Sequence, residues 1–165
     1  MISSLLFWLE DRQETISRAK QIVKTLGFQP EIFPTFSDFA SALEEFKKEN
    51  RLSEIAGIII DVMLYGVNDL SPVIFDHHPT DDGMEAGLVI VEHYLRAPER
   101  GFNGVPILVF SARLLNSDAK KNLEIINEKG GAKIKYLEKT PGWENELNRW
   151  LNSIKPIEII TTKSY

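Results

Sequence analysis

The stretch Ile55-Ala56-Gly57-Ile58-Ile59-Ile60-Asp61 consists of six small or aliphatic residues followed by a carboxylate. Such a run predicts a strand that is covered on both faces, as in the middle of a parallel sheet. Reactive groups in open parallel sheets collect where the strands end at their carboxyl edge, and Asp61 lies at that point. Because a carboxylate that closes an aliphatic strand costs desolvation energy unless something compensates, we interpret Asp61 as a functional residue.

Apolar runs and helical segments alternate along the rest of the chain. We predict further buried strands at 4–9, 106–111 and 133–138, and a weak edge strand at 31–33 between Pro30 and Pro34. Apolar residues at helical spacing predict five helices. We expect them to start near Gln13, Ser37, Met84, Asn116 or Ser117, and Trp143, with Ser37 as the cap of the second helix. The third helix is expected to bury one stripe formed by Met84, Leu88, Val91 and Leu95. This alternation is typical of an α/β fold in which helices cover both faces of a parallel sheet.

The length and composition fit one domain. The chain has 165 residues, of which 43% are hydrophobic, which is enough for one full core and leaves little room for a second. We assign residues 1–155 to this domain, with a loop insertion at about 65–82, and residues 156–165 to a C-terminal tail. The insertion is rich in Asp, Pro and His, and a loop of that length usually has a function or is disordered.

Composition also argues against several classes of function. The absence of cysteine excludes disulfides, zinc–thiolate sites and a cysteine nucleophile, and it favours a reducing compartment, so we expect the cytoplasm. No basic segment leads the apolar start and no apolar run is long enough to span a bilayer, so we expect neither a signal peptide nor a membrane partner. The net charge of -5, without a cluster of Lys and Arg, argues against direct nucleic-acid binding.

Polar residues also stand at the ends of three other predicted strands. Glu10 and Asp11 follow the first strand, Ser111 ends the fourth and Lys139 follows the fifth, so all are expected near Asp61. Two carboxylates a few ångströms apart repel by about 4 kcal/mol at an effective dielectric constant near 20, which favours a bound cation. Hard oxygen ligands select magnesium, which takes one or two carboxylates and otherwise waters or phosphate oxygens. The pattern predicts Mg²⁺ held by Glu10, Asp11 and Asp61, with Asp61 also as the nucleophile. Lys139 and Ser111 would stabilise a transferred phosphoryl group.

Five motifs in this order resemble the receiver domain of response regulators, the family that includes the chemotaxis regulator. They are Leu9-Glu10-Asp11, Ile58-Ile59-Ile60-Asp61, Asp82-Gly83-Met84-Glu85, Ser111-Ala112 and Tyr136-Leu137-Glu138-Lys139. The resemblance covers nearly the whole chain and implies a doubly wound, five-stranded parallel sheet in the order 2-1-3-4-5, a flavodoxin-like three-layer sandwich. It also implies that the Met63 carbonyl is a metal ligand and that Ser111 and Tyr136 form a phosphorylation switch.

Two features depart from the family pattern. Only a few residues normally separate the acceptor from the Asp-Gly motif, whereas here residues 63–81 intervene, so an insertion lies over the expected site. In addition, Thr140 separates Lys139 from Pro141, where the family's proline follows the lysine directly. This extra residue leaves the placing of the last helix open.

The resemblance implies a single-domain response regulator that accepts a phosphoryl group on Asp61 from a sensor histidine kinase or a histidine phosphotransfer protein. Such a protein signals to a downstream protein target, and it catalyses its own phosphotransfer rather than acting as a classical enzyme. The alternative is a pseudo-receiver, an interaction module that is not phosphorylated because the insertion blocks the pocket. A phosphatase is a more distant alternative, since those enzymes generally have a second aspartate where Met63 stands.

Several of these residues also have simpler interpretations. Asp11 alone is more often a helix cap than a ligand, and Lys139 alone is more often a solvated side chain. A solvated loop is favoured over a second metal site for the group Asp76, His77, His78, Asp81 and Asp82. Core packing is favoured over a docking face for the stripe formed by Trp143, Leu147 and Trp150.

Overall fold

A computed structural model of the chain describes residues 4–65, 70 and 83–156. Five strands form one sheet: β1 Ser4–Leu9, β2 Phe28–Phe33, β3 Ile55–Ile60, β4 Ile107–Ser111 and β5 Ile134–Glu138. All neighbouring strands are parallel and their order is β2-β1-β3-β4-β5. This confirms the doubly wound sheet expected from the sequence. Most of the insertion, including the Asp- and His-containing group at 76–82, and the tail from residue 157 lie outside the described residues.

Five helices cover the two faces of the sheet: α1 Ser17–Thr25, α2 Phe36–Lys48, α3 Ala86–Ile90, α4 Ser117–Glu128 and α5 Trp143–Ile154. Helices α2, α3 and α4 pack on one face, and α1 and α5 pack on the other. Strand β3 contributes Ile58 and Ile60 to the first core and Ile59 to the second, so it is covered on both faces. Within the described ranges, no helix is long and apolar enough to cross a membrane.

Three details of the first half differ from the sequence prediction. Helix α1 begins at Ser17, after a 3₁₀ turn at Gln13–Thr15, rather than near Gln13. Strand β2 begins at Phe28 rather than at 31 and includes Pro30. It tolerates the proline because it is an edge strand that pairs only with β1, so one side of its backbone needs no partner strand. The N-cap of α2 is Thr35 and not Ser37, because the Thr35 side chain accepts a 3.2 Å hydrogen bond from the Asp38 N–H.

The third helix follows the predicted pattern only in part. Helix α3 begins at Ala86, and a π-helical turn, Val91–Leu95, continues it. A π turn contains more residues than an α turn, so it shifts the side chains that follow it around the helix axis. Val91 and Leu95 of the predicted stripe are buried, Leu88 is partly buried against the core, and Met84 is only partly buried because it precedes the helix. The other buried positions are Ala86, Gly87, Ile90 and Tyr94.

The last two helices begin as their sequences indicate. The Asn116 side chain caps α4 by accepting a 2.8 Å hydrogen bond from the Ala119 N–H. Helix α5 begins at Trp143, after Gly142 in the left-handed conformation with φ at 92°. Leu147 and Trp150 are buried in the core on the face of the sheet that α1 and α5 cover. The extra Thr140 is therefore absorbed in the turn before α5, and the predicted stripe of this helix packs inward.

Candidate functional site

The carboxyl edge of the sheet brings the predicted site residues together. Asp61 follows β3, and its N–H donates a 3.3 Å hydrogen bond to the Leu9 carbonyl at the end of β1. Lys139 follows β5, and its N–H donates a 2.9 Å hydrogen bond to the carbonyl of Ser111, the last residue of β4. Because these backbone contacts join neighbouring strand ends, the side chains that follow β1, β3, β4 and β5 share one edge.

Asp61 is partly exposed, and its carboxylate is surrounded by hydrogen-bond donors. Burial raises the pKa of the Asp61 carboxyl above its ordinary value, and a hydrogen bond from the Ser111 hydroxyl and the positive charge of Lys139 oppose the rise. The Met63 N–H also donates a 3.3 Å hydrogen bond to Asp61 Oδ1. The residue therefore combines access for a reaction partner with groups that stabilise negative charge on its oxygens.

Glu10 is the most buried acidic residue of this edge, with 1% of its surface exposed. Burial raises the pKa of the Glu10 carboxyl to about 7, against the opposing effect of a 2.9 Å hydrogen bond from the Arg12 N–H to Oε1. The negative charges of Asp61 and Asp11 raise it further, and Lys139 lowers it. In the absence of a cation, burial and the neighbouring carboxylates therefore favour the protonated form of Glu10.

Asp11 has one satisfied and one unsatisfied carboxylate oxygen. Its Oδ2 accepts a 2.7 Å hydrogen bond from the Tyr65 N–H. Its Oδ1 is buried and has no hydrogen-bond partner in the part of the chain that the structure describes. A buried, unpartnered acceptor is costly, and a cation or ordered water is the usual compensation.

In the described part of the chain, Glu10, Asp11 and Asp61 do not form a closed metal cluster. Among residues 4–65, 70 and 83–156, no three His, Cys, Asp or Glu side chains converge closely enough to enclose a metal. Magnesium keeps several waters and needs only one or two carboxylates, so this finding is compatible with it. The unpartnered Asp11 Oδ1 and the carboxylate of Asp61 are the candidate direct ligands, with Glu10 and the Met63 carbonyl as the other expected oxygen donors.

Lys139 supplies positive charge at the site. Its ammonium lies 4.7 Å from the centroid of the Phe110 ring, a cation–π arrangement that holds the side chain along the edge of the sheet. Its charge lowers the pKa of both Asp61 and Glu10. The lysine is therefore close enough to influence both carboxylates electrostatically.

Ser111 and Tyr136 are joined through Arg113, which the sequence did not suggest. Ser111 is fully buried, and its Oγ accepts a 3.1 Å hydrogen bond from the Arg113 N–H. The Tyr136 hydroxyl donates a 2.8 Å hydrogen bond to the Arg113 carbonyl and accepts one of 3.3 Å from the Leu115 N–H. The tyrosine ring is partly buried against the core, so it points inward in this structure.

Gly87 is a second residue that the sequence analysis missed. A Cβ at this position would lie 1.9 Å from the Asp61 carbonyl oxygen, so only glycine lets the first turn of α3 approach the backbone after β3 so closely. The Gly87 N–H donates a 3.0 Å hydrogen bond to the Val62 carbonyl. A glycine inside a helical segment was the available signal, because such glycines often mark a close backbone approach.

Several solved receiver domains have a similar architecture. A response regulator receiver protein from Pseudoalteromonas atlantica is 15% identical with a TM-score of 0.58, covering 91% of this chain and 95% of that chain. A CheY-like receiver domain from Methanospirillum hungatei JF-1 is 14% identical with a TM-score of 0.56, covering 92% and 94%. A third, from Methylobacillus flagellatus, is 21% identical with a TM-score of 0.54, covering 93% and 99%.

No family model and no curated protein matches the sequence. The likeness to solved structures extends over more than nine-tenths of the chain and establishes the fold. The protein therefore has the CheY-like receiver fold.

Proposed function

We propose that this chain is a phosphoacceptor of the response regulator type, in which Asp61 receives a phosphoryl group from a phosphohistidine. The observation that carries the proposal is the meeting of Asp61, the acidic pair Glu10 and Asp11, Ser111 and Lys139 at one edge of a receiver-like sheet. Each group has a role in phosphoryl transfer, a reaction that asks a protein mainly for positioning and charge neutralisation.

In the proposed reaction, a carboxylate oxygen of Asp61 attacks the phosphorus of the donor. The phosphorus–nitrogen bond of the phosphohistidine breaks, its electron pair returns to the imidazole, and a phosphorus–oxygen bond to Asp61 forms. Lys139 supplies positive charge beside the acceptor, and the Ser111 hydroxyl, which already hydrogen-bonds Asp61, remains placed to donate to the new group. Magnesium, when bound, would neutralise charge on the transferred oxygens.

The partners follow from this chemistry. A phosphohistidine donor requires a sensor histidine kinase or a histidine phosphotransfer protein, and the cytoplasm is the expected compartment. The acyl phosphate carries about -1.5 to -2 units of charge, where the Asp61 carboxylate carried about -1, next to the loop that holds Ser111 and Tyr136. We propose that this change alters a protein-binding surface near Tyr136, through which a downstream protein target is contacted.

Transfer from a phosphorylated donor tests the proposal. Radiolabelled phosphate on a histidine kinase or a histidine phosphotransfer protein is expected to move to the wild-type chain in the presence of Mg²⁺ and to remain on the donor with Asp61→Asn. Thermal unfolding of the variant serves as the control for its fold. Transfer to Asp61→Asn at the wild-type rate would contradict the assignment of Asp61.

One observation favours a second candidate, the pseudo-receiver that binds a partner without being phosphorylated. The Tyr65 N–H already satisfies one Asp11 oxygen, and the described side chains do not form a closed metal cluster. An interaction module needs neither magnesium nor an accessible acceptor. The two candidates differ in one measurable respect, since a pseudo-receiver stays unmodified with every donor, with or without Mg²⁺.

A further inference from the structure

Arg113, in the loop between β4 and α4, contacts three separate parts of the protein. The Arg113 N–H donates to Ser111 Oγ at 3.1 Å, and the Arg113 carbonyl accepts from the Tyr136 hydroxyl at 2.8 Å. Its guanidinium Nη1 donates to the Met84 carbonyl at 2.7 Å, and Nη2 lies 3.8 Å from Glu85 Oε1. Arg113 thus joins the serine, the tyrosine and the segment that precedes α3.

The backbone contact determines where the proton of Ser111 points. A hydroxyl group has a single proton to donate. Because Ser111 Oγ already accepts from the Arg113 N–H, its own proton remains available for donation towards the neighbouring Asp61 carboxylate. Ser111 is fully buried, so water does not compete for this geometry. The position of the Arg113 backbone therefore orients a donor towards the acceptor residue.

The guanidinium attaches the Arg113 backbone to the segment that precedes α3. Its contact with the Met84 carbonyl is a charge-assisted hydrogen bond, and the Arg113 side chain is only 29% exposed. The segment that precedes α3 is in turn hydrogen-bonded to the chain just after Asp61, because the Leu64 N–H donates to the Gly83 carbonyl at 2.8 Å. The loop of Ser111 and the backbone beyond Asp61 are thus held together from both sides.

We propose that Arg113 is a positioning residue of the phosphoacceptor site, which acts by holding Ser111 in the orientation that serves Asp61. The inference rests on the proposed function and extends it, because it gives the second cationic side chain near the site, Arg113, a role in positioning rather than in charge neutralisation. Lys139 neutralises charge at Asp61, whereas Arg113 directs its guanidinium to Met84 and Glu85.

A double-mutant cycle tests whether Arg113 acts through Ser111. The maximum rate of phosphoryl uptake from acetyl phosphate with Mg²⁺ is measured for the wild type, Arg113→Gln, Ser111→Ala and the double variant. Arg113→Gln is expected to lower this rate about tenfold in the wild-type background and less than about twofold in the Ser111→Ala background, because coupled residues are not additive. Arg18→Gln, a change of the same chemistry on the exposed face of α1, is expected to leave the rate unchanged.

Two outcomes would overturn the proposal. An equal loss in both backgrounds would mean that Arg113 acts independently of Ser111, for example by attracting the anionic donor. A rise in the acetyl phosphate concentration for half-maximal rate, with an unchanged maximum rate, would likewise point to attraction of the donor and not to positioning of Ser111. An unchanged rate in Arg113→Gln would remove any role of the residue in the reaction.

A second measurement separates this inference from the proposed function. The chain contains four tyrosines, and in protein labelled with 3-fluorotyrosine the ¹⁹F resonance that disappears in Tyr136→Phe belongs to Tyr136. Arg113→Gln is expected to shift that resonance in the unphosphorylated protein, and Arg18→Gln is not. A wild-type chain that takes up no phosphoryl group refutes the proposed function. An unmoved Tyr136 resonance in Arg113→Gln refutes the positioning role even if Asp61 is phosphorylated.

Discussion

The backbone N–H of Tyr65 donates a 2.7 Å hydrogen bond to Asp11 Oδ2, and the two residues lie 54 positions apart in the sequence. The Arg12 guanidinium also lies 5.0 Å from the centroid of the Tyr65 ring. Tyr65 is the first residue of the insertion at about 65–82, so the start of the insertion is attached to the acidic pair. One oxygen of Asp11 is thereby satisfied by the protein itself, and the buried Oδ1 is left for a cation.

Asp11→Asn is expected to lower the affinity for Mg²⁺ by about tenfold or more, because an amide offers a weaker and uncharged oxygen at the buried position. Isothermal titration calorimetry measures the effect. Glu128→Gln, at the exposed end of α4, is the control and is expected to bind as the wild type does. Equal affinities of Asp11→Asn and the wild type would show that the metal pocket is assigned to the wrong residues.

Glu10→Gln is expected to stabilise the metal-free fold in a pH-dependent way. The pKa of this carboxyl is raised from 4.5 to about 7, chiefly by burial. Between these values the unfolded chain ionises while the folded chain keeps its proton, so wild-type stability falls as the pH rises from 4.5 to 7 and is constant above.

The neutral glutamine does not ionise, so the Glu10→Gln variant does not lose stability over this pH range. In EDTA, Glu10→Gln and the wild type should unfold at similar temperatures near the lower pKa, and the variant should be more stable by about 1–3 kcal/mol above the upper one. Thermal unfolding followed by circular dichroism at several pH values gives the comparison. The same stability difference at every pH would rule out the burial of a charge at Glu10 as its cause.

Gly87→Ala is expected to destabilise the protein and displace the acceptor strand end. The added methyl carbon would lie 1.9 Å from the Asp61 carbonyl oxygen, so either α3 or the backbone after β3 must move. Overpacking of this kind costs on the order of 1–3 kcal/mol. Chemical denaturation measures the loss, and Gly104→Ala is the matched control, because a Cβ there meets no atom within 4 Å. Equal stabilities of the two variants would contradict the close approach.

Lys139→Ala is expected to slow the modification of Asp61 without abolishing it. The ammonium stabilises charge beside the acceptor but does not itself accept the phosphoryl group, and removal of one such donor costs on the order of 10²-fold in rate. Stopped-flow or quenched phosphorylation with acetyl phosphate measures the rate, with Lys24→Ala on the exposed face of α1 as the control. A wild-type rate in Lys139→Ala would remove the lysine from the site.

The aliphatic strands were predictable because their residues are uniform and polar side chains mark their ends. Asp61 and Ser111 lie where two such runs stop, and the rule for carboxyl edges is enough to place them together. The third helix was not predictable in this way. Val91 and Leu95 of the predicted stripe are buried, but Met84 precedes the helix and the buried face also includes Tyr94 in the π turn at Val91–Leu95, which a stripe drawn at the ordinary helical period leaves out.

Arg113 could not be found from sequence for a different reason. Its guanidinium donates to the carbonyl of Met84, and its own backbone contacts Ser111 and Tyr136. Every residue has a carbonyl and almost every residue has an N–H, so such contacts leave no pattern of residue types. The side chains of the proposed site were therefore predictable from the sequence, whereas Arg113, for which we propose a positioning role, required the structure.

Exposure of the chain to acetyl phosphate and Mg²⁺, followed by mass spectrometry of the intact protein and of its peptides, tests the central claim most directly. We expect one added phosphoryl group, located at Asp61, removed by hydroxylamine and absent from Asp61→Asn, which should remain folded. Hydroxylamine lability identifies an acyl phosphate and distinguishes it from a phosphorylated hydroxyl. A wild-type chain that stays unmodified with acetyl phosphate and with phosphorylated histidine donors, or a stable adduct at another residue, would contradict the account.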